Sequence, residues 1–397
     1  MLTQLEISKS ALVHNFKQFR KIIGSKIKLL AVVKSNAYGH GMVGCAKIFE
    51  RNGADYLGVA NLDEALELRK SGLKRPILIL TYWPNTSDRR LIDQREFHEI
   101  EEAIKKDVEF VVYTYSQCRI LSRLSRKMGR PAKIHLKIDT GTSRIGLLPN
   151  NARDFVLKCV KLSNLKLVGI FTHFAKSEAK NQDFTNQQVQ KLIKVKEELL
   201  KIKNCPKNII YHAGCTASTI MNPYTYFDMV RVGIGLYGLW PSWAAKDYGN
   251  RASIFLRPAL SWKTKVIQVK ELPKGTPIGY DCTYRLKNKG KIAVLPVGYW
   301  DGYDRKLSNP PPLKFRGRGG GEVLIHGKRV PVIGRVCMNL IMVEITEIPQ
   351  VKVGDEVVLI GRQGHEEITV DEIAEKIGTI NYEIVTKINP LLPRIYK

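Results

Sequence analysis

Lys34 interrupts an otherwise apolar run, Leu29 to Val33, and is followed by Ser35, Asn36, Tyr38, Gly39 and Gly41. A short apolar run with β-branched Val32 and Val33, closed by Asn and Gly, reads as a strand buried on both faces that ends in a turn. A lysine at such an end either carries its ammonium out to water along an apolar stem or sits desolvated. In the second case burial lowers its pKa, and the free amine can form a Schiff base with an aldehyde cofactor. Tyr38 falls in the turn, within reach of an anion bound near the same lysine. The other candidate residues are Lys137, Asp139 and Arg144, then His173, the run His212 to Thr216, and Arg231 with Gly233 and Ile234. Taken singly, a strand-end histidine reads as a packing residue and an arginine beside glycine as a surface turn. Their meaning depends on whether the fold gathers them.

From Lys28 to Gly238 short apolar runs alternate with amphipathic stretches. KLLAVVK supplies the first strand and Asp55 to Ala60 the second, followed by a helix from Leu62 to Lys70 that Gly72 closes. Pro76 to Tyr82, Val108 to Thr114, Ala132 to Gly141, Leu165 to Phe174, Lys207 to Gly214 and Met229 to Gly238 complete a set of eight. Strands alternating with helices make right-handed βα units and a parallel sheet. Eight of them within about 210 residues fit a closed TIM-type barrel. Catalytic groups in that fold occupy the carboxyl ends of the strands, where all the candidates fall. The loops after the last two strands are a recurrent phosphate site, with the Thr216 hydroxyl and the Gly233 and Ile234 N–H groups as donors. A phosphate-bearing aldehyde held by a strand-end lysine describes pyridoxal phosphate.

Beyond Pro241 the texture changes. Pro241 to Arg251 reads as a polar, turn-rich linker, and short strand-like runs follow, such as ALSWKTKVIQVK, KIAVLPVGY, EVLIHGKRVPVIG, LIMVEITEI and EVVLIG. One helix, Val370 to Ile377, precedes a terminal segment holding Asn381, Tyr382 and Glu383. The expected fold class is α/β: a parallel eight-stranded β/α barrel over residues 1–242, then a mostly antiparallel β domain over 243–397. The first dozen or so residues are candidates to pair with that second domain.

Two domains also suit the length of 397 residues. No run approaches the roughly 18 apolar residues of a membrane span, and no secretory signal is read at the start. Seven scattered cysteines without a CxxC pair point to reduced thiols in the cytoplasm, with no metal site. The net charge of +27 and the RGRGGG segment from Arg316 to Gly321 raise a nucleic-acid reading. The lysines, however, are spread over helix faces rather than blocked, as a solvated surface favouring anionic ligands requires. No nucleic-acid or membrane partner is expected.

AVVKSNAYGHG resembles the cofactor-lysine signature of alanine racemases. LKIDTGTSRIG, GIFTHFA, MVRVGIGLYG, GYDCTY, GYWDGYDR, GRVCMN and NYEI resemble further motifs of that family, in the same order, from Lys34 to the closing LPRIY. The resemblance implies a homodimer with shared active sites that uses pyridoxal 5'-phosphate to interconvert L- and D-alanine, supplying D-alanine for peptidoglycan. It implies that Lys34 holds the cofactor and handles the D-alanine proton, while Tyr280 of the second subunit handles the L-alanine proton. Arg231 would face the pyridine nitrogen; a guanidinium does not give up its proton, which disfavours transamination and decarboxylation. His173 would lie between Arg231 and Tyr280. Arg144 would pair with the substrate carboxylate and the cofactor phenolate, oriented by Lys137, which is often carbamylated in this family. Tyr38, Thr216, Gly233, Ile234 and Tyr382 are the implied phosphate contacts. Met338 would offer its N–H to substrate, and Tyr299 would narrow the entrance. The chain departs from the family pattern at Thr142, at Cys215-Thr216, at Asp281 and at Asn339, where an aspartate is usual. These departures bear on substrate breadth and rate. A broad-specificity or serine-preferring racemase and a non-catalytic pyridoxal phosphate carrier are the alternatives.

Overall fold

The computed structural model describes residues 2–83, 94–203, 206–311 and 319–397. It separates into two compact units. One comprises Ala11–Ala37 and Met42–Pro258; the other comprises Ala259–Lys397 with the first ten residues and Tyr38–Gly41.

The first unit is a closed barrel of parallel strands in sequence order: Lys28–Val32, Tyr56–Val59, Ile77–Ile79, Val108–Val112, Ala132–Lys137, Leu165–Phe171, Ile210–His212 and Met229–Val232. The last closes on the first, with Leu29 opposite Val230 and Leu30 opposite Arg231. Every strand foreseen is present. Their ends are shorter than the apolar runs, and at those ends the hydroxyls of Thr81, Thr114 and Thr172 add side-chain bonds of their own. Helices cover the barrel, and some of them start at side-chain caps. Asn61 accepts from the Glu64 N–H at the head of Leu62–Lys70, and Thr114 with Gln117 forms a capping box at the head of Tyr115–Met128. Phe110 is fully buried, and truncating such a ring to alanine costs about 3–5 kcal/mol.

The segment expected to be a linker is instead the helix Trp243–Arg251, which belongs to the barrel unit. Ser242 caps it by accepting from the Ala245 N–H. It buries Ala245 and Gly249, and a Cβ on Gly249 would lie 2.4 Å from the Trp240 ring. Close tertiary packing there outweighs a composition that favours turns.

The second unit is built on a ten-stranded sheet. In spatial order it runs Gln268–Leu272, Gly290–Leu295, Ile341–Glu344, Lys328–Ile333, Glu322–Ile325, Glu356–Gln363, Leu260–Lys265, Gln4–Ile7 and Arg394–Tyr396, with Glu366–Ile368 beside Glu356–Gln363. Pairing is antiparallel except between Gln4–Ile7 and Arg394–Tyr396. Ile278, Leu286, Ile292, Val294, Ile333 and Met342 form a packed core under one part of the sheet. Two helices follow, not one: Val370–Ile377, and Asn381–Lys387, which takes in the terminal segment of Asn381, Tyr382 and Glu383. Asn381 donates to Asp371 at 2.7 Å and ties the second helix to the first. Arg316, Gly317 and Arg318 of the RGRGGG segment lie outside the described residues. No helix among the described residues is long and apolar enough to cross a membrane.

Candidate active site

In the barrel unit Lys34 opens a left-handed turn. Ser35, Asn36, Ala37 and Tyr38 have φ of 54°, 53°, 53° and 52°, a conformation that costs non-glycine residues roughly 1–2 kcal/mol each. Fixed acceptors hold it. The Glu64 carboxylate takes the Ser35 N–H at 2.6 Å and the Ala60 N–H at 2.7 Å. Asn36 Oδ1 takes the Met42 N–H at 2.9 Å, and the Tyr237 hydroxyl donates to the Val32 carbonyl at 2.8 Å. The Lys34 amine is held below its ordinary pKa by desolvation and then by Arg144, with Glu64 opposing. That favours the unprotonated nucleophile.

Arg231 is 5% exposed. Its guanidinium donates to His212 Nδ1 at 3.0 Å, to the Thr172 carbonyl at 2.7 Å and to the Ala213 carbonyl at 3.0 Å, and lies 3.4 Å from His173 Nδ1. Desolvation brings its pKa down to about 10, so it stays protonated at neutral pH. His173 is held well below the usual histidine range by desolvation and by the charges of Arg231, Lys137, Arg144 and Lys34. It is a neutral ring at pH 7.

Lys137 is 2% exposed, and its Nζ has no hydrogen-bond partner among the described residues. Desolvation, then Arg231 and Arg144, push its pKa down to about 7. A buried amine without an acceptor is costly, and a free ammonium has no means of orienting the Arg144 cation. Arg144 is exposed, in a loop that Asp139 organises by accepting N–H bonds from Gly141, Thr142, Ser143 and Arg144. Thr142 adds its hydroxyl to the same carboxylate at 3.3 Å.

At the phosphate candidates, Thr216 Oγ1 accepts the Gly233 N–H at 3.0 Å. A Cβ on Gly235 would come within 2.7 Å of the Thr216 methyl and 2.5 Å of Phe19, so only glycine lets these two loops close up. Ile234 starts the short 3-10 turn Ile234–Tyr237 directly after Gly233. Cys215, one of the departures from the family pattern, bonds Ser177 at 3.2 Å.

The second unit carries the remaining candidates. Tyr38 and Tyr382 have ring centroids 6.1 Å apart, and Gly39 fits only because a Cβ would lie 2.0 Å from the Val385 carbonyl oxygen. Tyr280 sits in a tight turn between the paired strands Pro277–Ile278 and Tyr284–Arg285, with its phenol outside the core at 68% exposure. Asp281 beside it lies 3.9 Å from Arg335. Met338 is 55% exposed; its carbonyl accepts the Trp300 N–H, while the Tyr299 N–H goes to Cys337. Asn339, at the departure from aspartate, is exposed on the same loop.

Three residues outside the sequence candidates bond to them, to their neighbours or to one another: Glu64, Glu109 and His135. Glu64 gives no sequence signal, because a glutamate in the first turn of a helix needs no other explanation. Glu109 and His135 do: each interrupts an apolar barrel strand, and His135 lies two residues before Lys137 on the same face.

A closed β/α barrel with a desolvated lysine and a buried arginine at strand carboxyl ends, followed by an antiparallel β domain, defines a two-domain barrel enzyme. Residues 7–241 match "Alanine racemase, N-terminal domain" and residues 259–396 match "Alanine racemase, C-terminal domain". An alanine racemase of Halothermothrix orenii is 43% identical over all of this chain and 97% of its own length. The solved alanine racemase of Clostridium difficile 630 superposes with TM-score 0.88 at 33% identity, covering 100% of this chain and 96% of that one. A histidine racemase from Leuconostoc mesenteroides subsp. sake shares the fold, with TM-score 0.83, 28% identity and coverage of 100% and 98%. The chain belongs to the alanine racemase family, and its reaction is the interconversion of L- and D-alanine.

Proposed function

We propose that this racemisation uses pyridoxal 5'-phosphate held by Lys34, with Lys34 and Tyr280 as the two proton-transferring groups, and that it supplies D-alanine for peptidoglycan. The observation that carries the reading is the Lys34 amine, desolvated and pushed below its ordinary pKa on a turn anchored by Glu64. The donor set fits a phosphorylated aldehyde. Lys34 offers a nucleophilic nitrogen, the Thr216 hydroxyl, itself held by the Gly233 N–H, and the Ile234 backbone offer phosphate donors, and Tyr38 and Tyr382 offer hydroxyls. Arg231 offers a permanent N–H donor to a ring nitrogen. When bound, the cofactor supplies an electron-withdrawing ring that acidifies the Cα–H of an attached amino acid.

The protein's own groups then control where protons go. Inversion needs one group to remove a proton from one face of Cα and another to return one to the other. Lys34 Nζ and the Tyr280 phenol are assigned those two roles, each worth about 10²–10⁴-fold. Tyr280 stands outside the core of its own unit, which suits a residue offered to the barrel of a second copy in a homodimer. Arg231 cannot pass its proton on and so keeps the ring nitrogen an acceptor, favouring return of the proton to Cα. Arg144 is assigned to the substrate carboxylate, for which a planar fork is suited, and the Met338 N–H to the same group, beside Tyr299 and Asn339 at the entrance. A carbamate on Lys137 would give Arg144 an anion to pair with. Formation joins the neutral amine nitrogen to the carbon of CO2 and releases one proton.

The test is loss of optical rotation of L-alanine on incubation with pure protein, with borohydride-trapped cofactor located by peptide mapping. Label on Lys34, no label and no turnover in Lys34→Ala, and a 10²-fold or greater loss of turnover in Tyr280→Phe with cofactor retained are expected. Label on another amine, or near-full activity in Tyr280→Phe, refutes the assignment. The histidine racemase with this fold favours running serine and histidine beside alanine to measure substrate breadth.

A further inference from the structure

A line of buried polar groups climbs through the barrel interior to Arg231, and the two-base reading makes no use of its lower half. Glu109, at the amino-terminal end of its strand, lies 2.7 Å from His135 Nε2. His135 Nδ1 lies 3.0 Å from His212 Nε2, and His212 Nδ1 takes the Arg231 N–H. Both histidines are fully buried and Glu109 is nearly so.

The chemistry of the two ends fixes the direction of every bond. A guanidinium only donates, so His212 Nδ1 is unprotonated. His212, held well below the usual histidine range by desolvation and the Arg231 charge, is neutral and carries its one proton on Nε2. It donates that proton to His135 Nδ1, which places the His135 proton on Nε2, facing a carboxylate that only accepts. Two neutral rings thus couple a buried cation to a buried anion with no donor facing a donor.

The packing is built around this line. A Cβ on Gly169 would lie 2.2 Å from His135 Nδ1, so glycine is what admits the ring. His212 stacks on Phe171 at 4.7 Å with planes 5° apart. Lys133 Nζ, 3.9 Å from Glu109, and the Tyr56 hydroxyl complete the lower end. There Glu109 lines a cavity of about 700 Å³ with Tyr56, Lys133 and Lys166.

We propose that Glu109 and His135 are positioning residues for the racemisation: through His212 they orient and electrostatically anchor the Arg231 guanidinium that meets the cofactor ring. This rests on the reading that Arg231 faces the ring nitrogen. A carboxylate two rings away strengthens His212 Nδ1 as an acceptor, since linked hydrogen bonds polarise one another in a low-dielectric interior.

The test uses protein labelled with ¹⁵N in its histidine rings. In wild-type protein without cofactor, His212 and His135 are expected to show unprotonated Nδ1 and protonated Nε2. A protonated His212 Nδ1 overturns the proposal whether or not the protein racemises alanine. Glu109→Gln keeps the shape but offers an amide that both accepts and donates. It is expected to move the His135 signals toward mixed tautomers and to lower kcat for alanine about tenfold, as loss of an outer hydrogen-bond partner does. KM should stay within about twofold, since the substrate is not touched. Gly169→Ala is expected to reproduce both changes by displacing His135. A fall in melting temperature with ring signals and kcat per folded site unchanged refutes the proposal.

Discussion

Replacing Glu64 by glutamine should loosen the turn that presents Lys34. Four consecutive residues there hold φ between 52° and 54°, at roughly 1–2 kcal/mol apiece. Both oxygens of Glu64 hold the turn and its neighbour in place, one on Ser35 and one on Ala60. Glutamine keeps one acceptor and sets an N–H against an N–H at the other. A hydrogen bond to a charged group contributes about 1.5–3 kcal/mol. Because the Ser35 bond is exposed, a loss of about 2 kcal/mol is expected, or about 4–8 °C in melting temperature for a domain of this size. The second effect is electrostatic. Glu64 raises the Lys34 pKa against the lowering by burial and Arg144, so its removal lowers that pKa further and leaves more free amine at a given pH. Calorimetry reads the first effect. The pH midpoint for borohydride trapping of pyridoxal phosphate on Lys34 reads the second and should move down. Ser35→Gly is the counter-test: it relieves one left-handed residue at an exposed position and should raise the melting temperature. An unchanged melting temperature in Glu64→Gln, or a midpoint that moves up, refutes the account of the turn.

The Lys137 amine titrates near 7 when folded and near 10.5 when unfolded, so between those values the unfolded chain binds more protons and stability rises with pH. In buffer free of carbon dioxide, Lys137→Met should therefore be more stable than wild type at pH 6, with the margin shrinking toward pH 10; a margin that grows with pH contradicts the assigned shift. With ¹³C-labelled bicarbonate above pH 7, wild type but not Lys137→Met should show a carbamate carbon signal. Thr216→Val removes the hydroxyl that takes the Gly233 N–H and should weaken pyridoxal phosphate binding about tenfold or more, at about 1.5–3 kcal/mol for a bond to a charged group; unchanged affinity in a titration counts against the phosphate assignment. Gly39→Ala places a methyl 2.0 Å from the Val385 carbonyl oxygen at φ of 83° and should destabilise the protein by several kcal/mol, measured by denaturant unfolding; a change below about 1 kcal/mol refutes that close approach.

Much of this protein is legible along the chain because periodicity is a local property. Eight apolar runs of strand length, spaced by amphipathic helices, admit few topologies once parallel connections must be right-handed. The barrel places Lys34, His173, Thr216 and Arg231 near one set of strand ends, whatever loops follow. The motifs around Lys34 and Arg231 were equally readable, since each is a polar residue set into an apolar strand. The Trp243–Arg251 helix and the Asn381–Lys387 helix were not. The first depends on Gly249 lying against Trp240 and the second on Asn381 reaching Asp371, contacts that no window of sequence contains.

The amino-acid order by itself determined the barrel, the β domain after it, and the residue types offered at the strand ends. Tertiary structure alone decided which charges are stripped of water. Lys137 without an acceptor, Arg231 bonded to His212, and the Glu109–His135–His212 line arise because barrel closure brings side chains from strands distant in sequence to within 3.0 Å of one another. Proton affinity follows that desolvation and those neighbours rather than residue type.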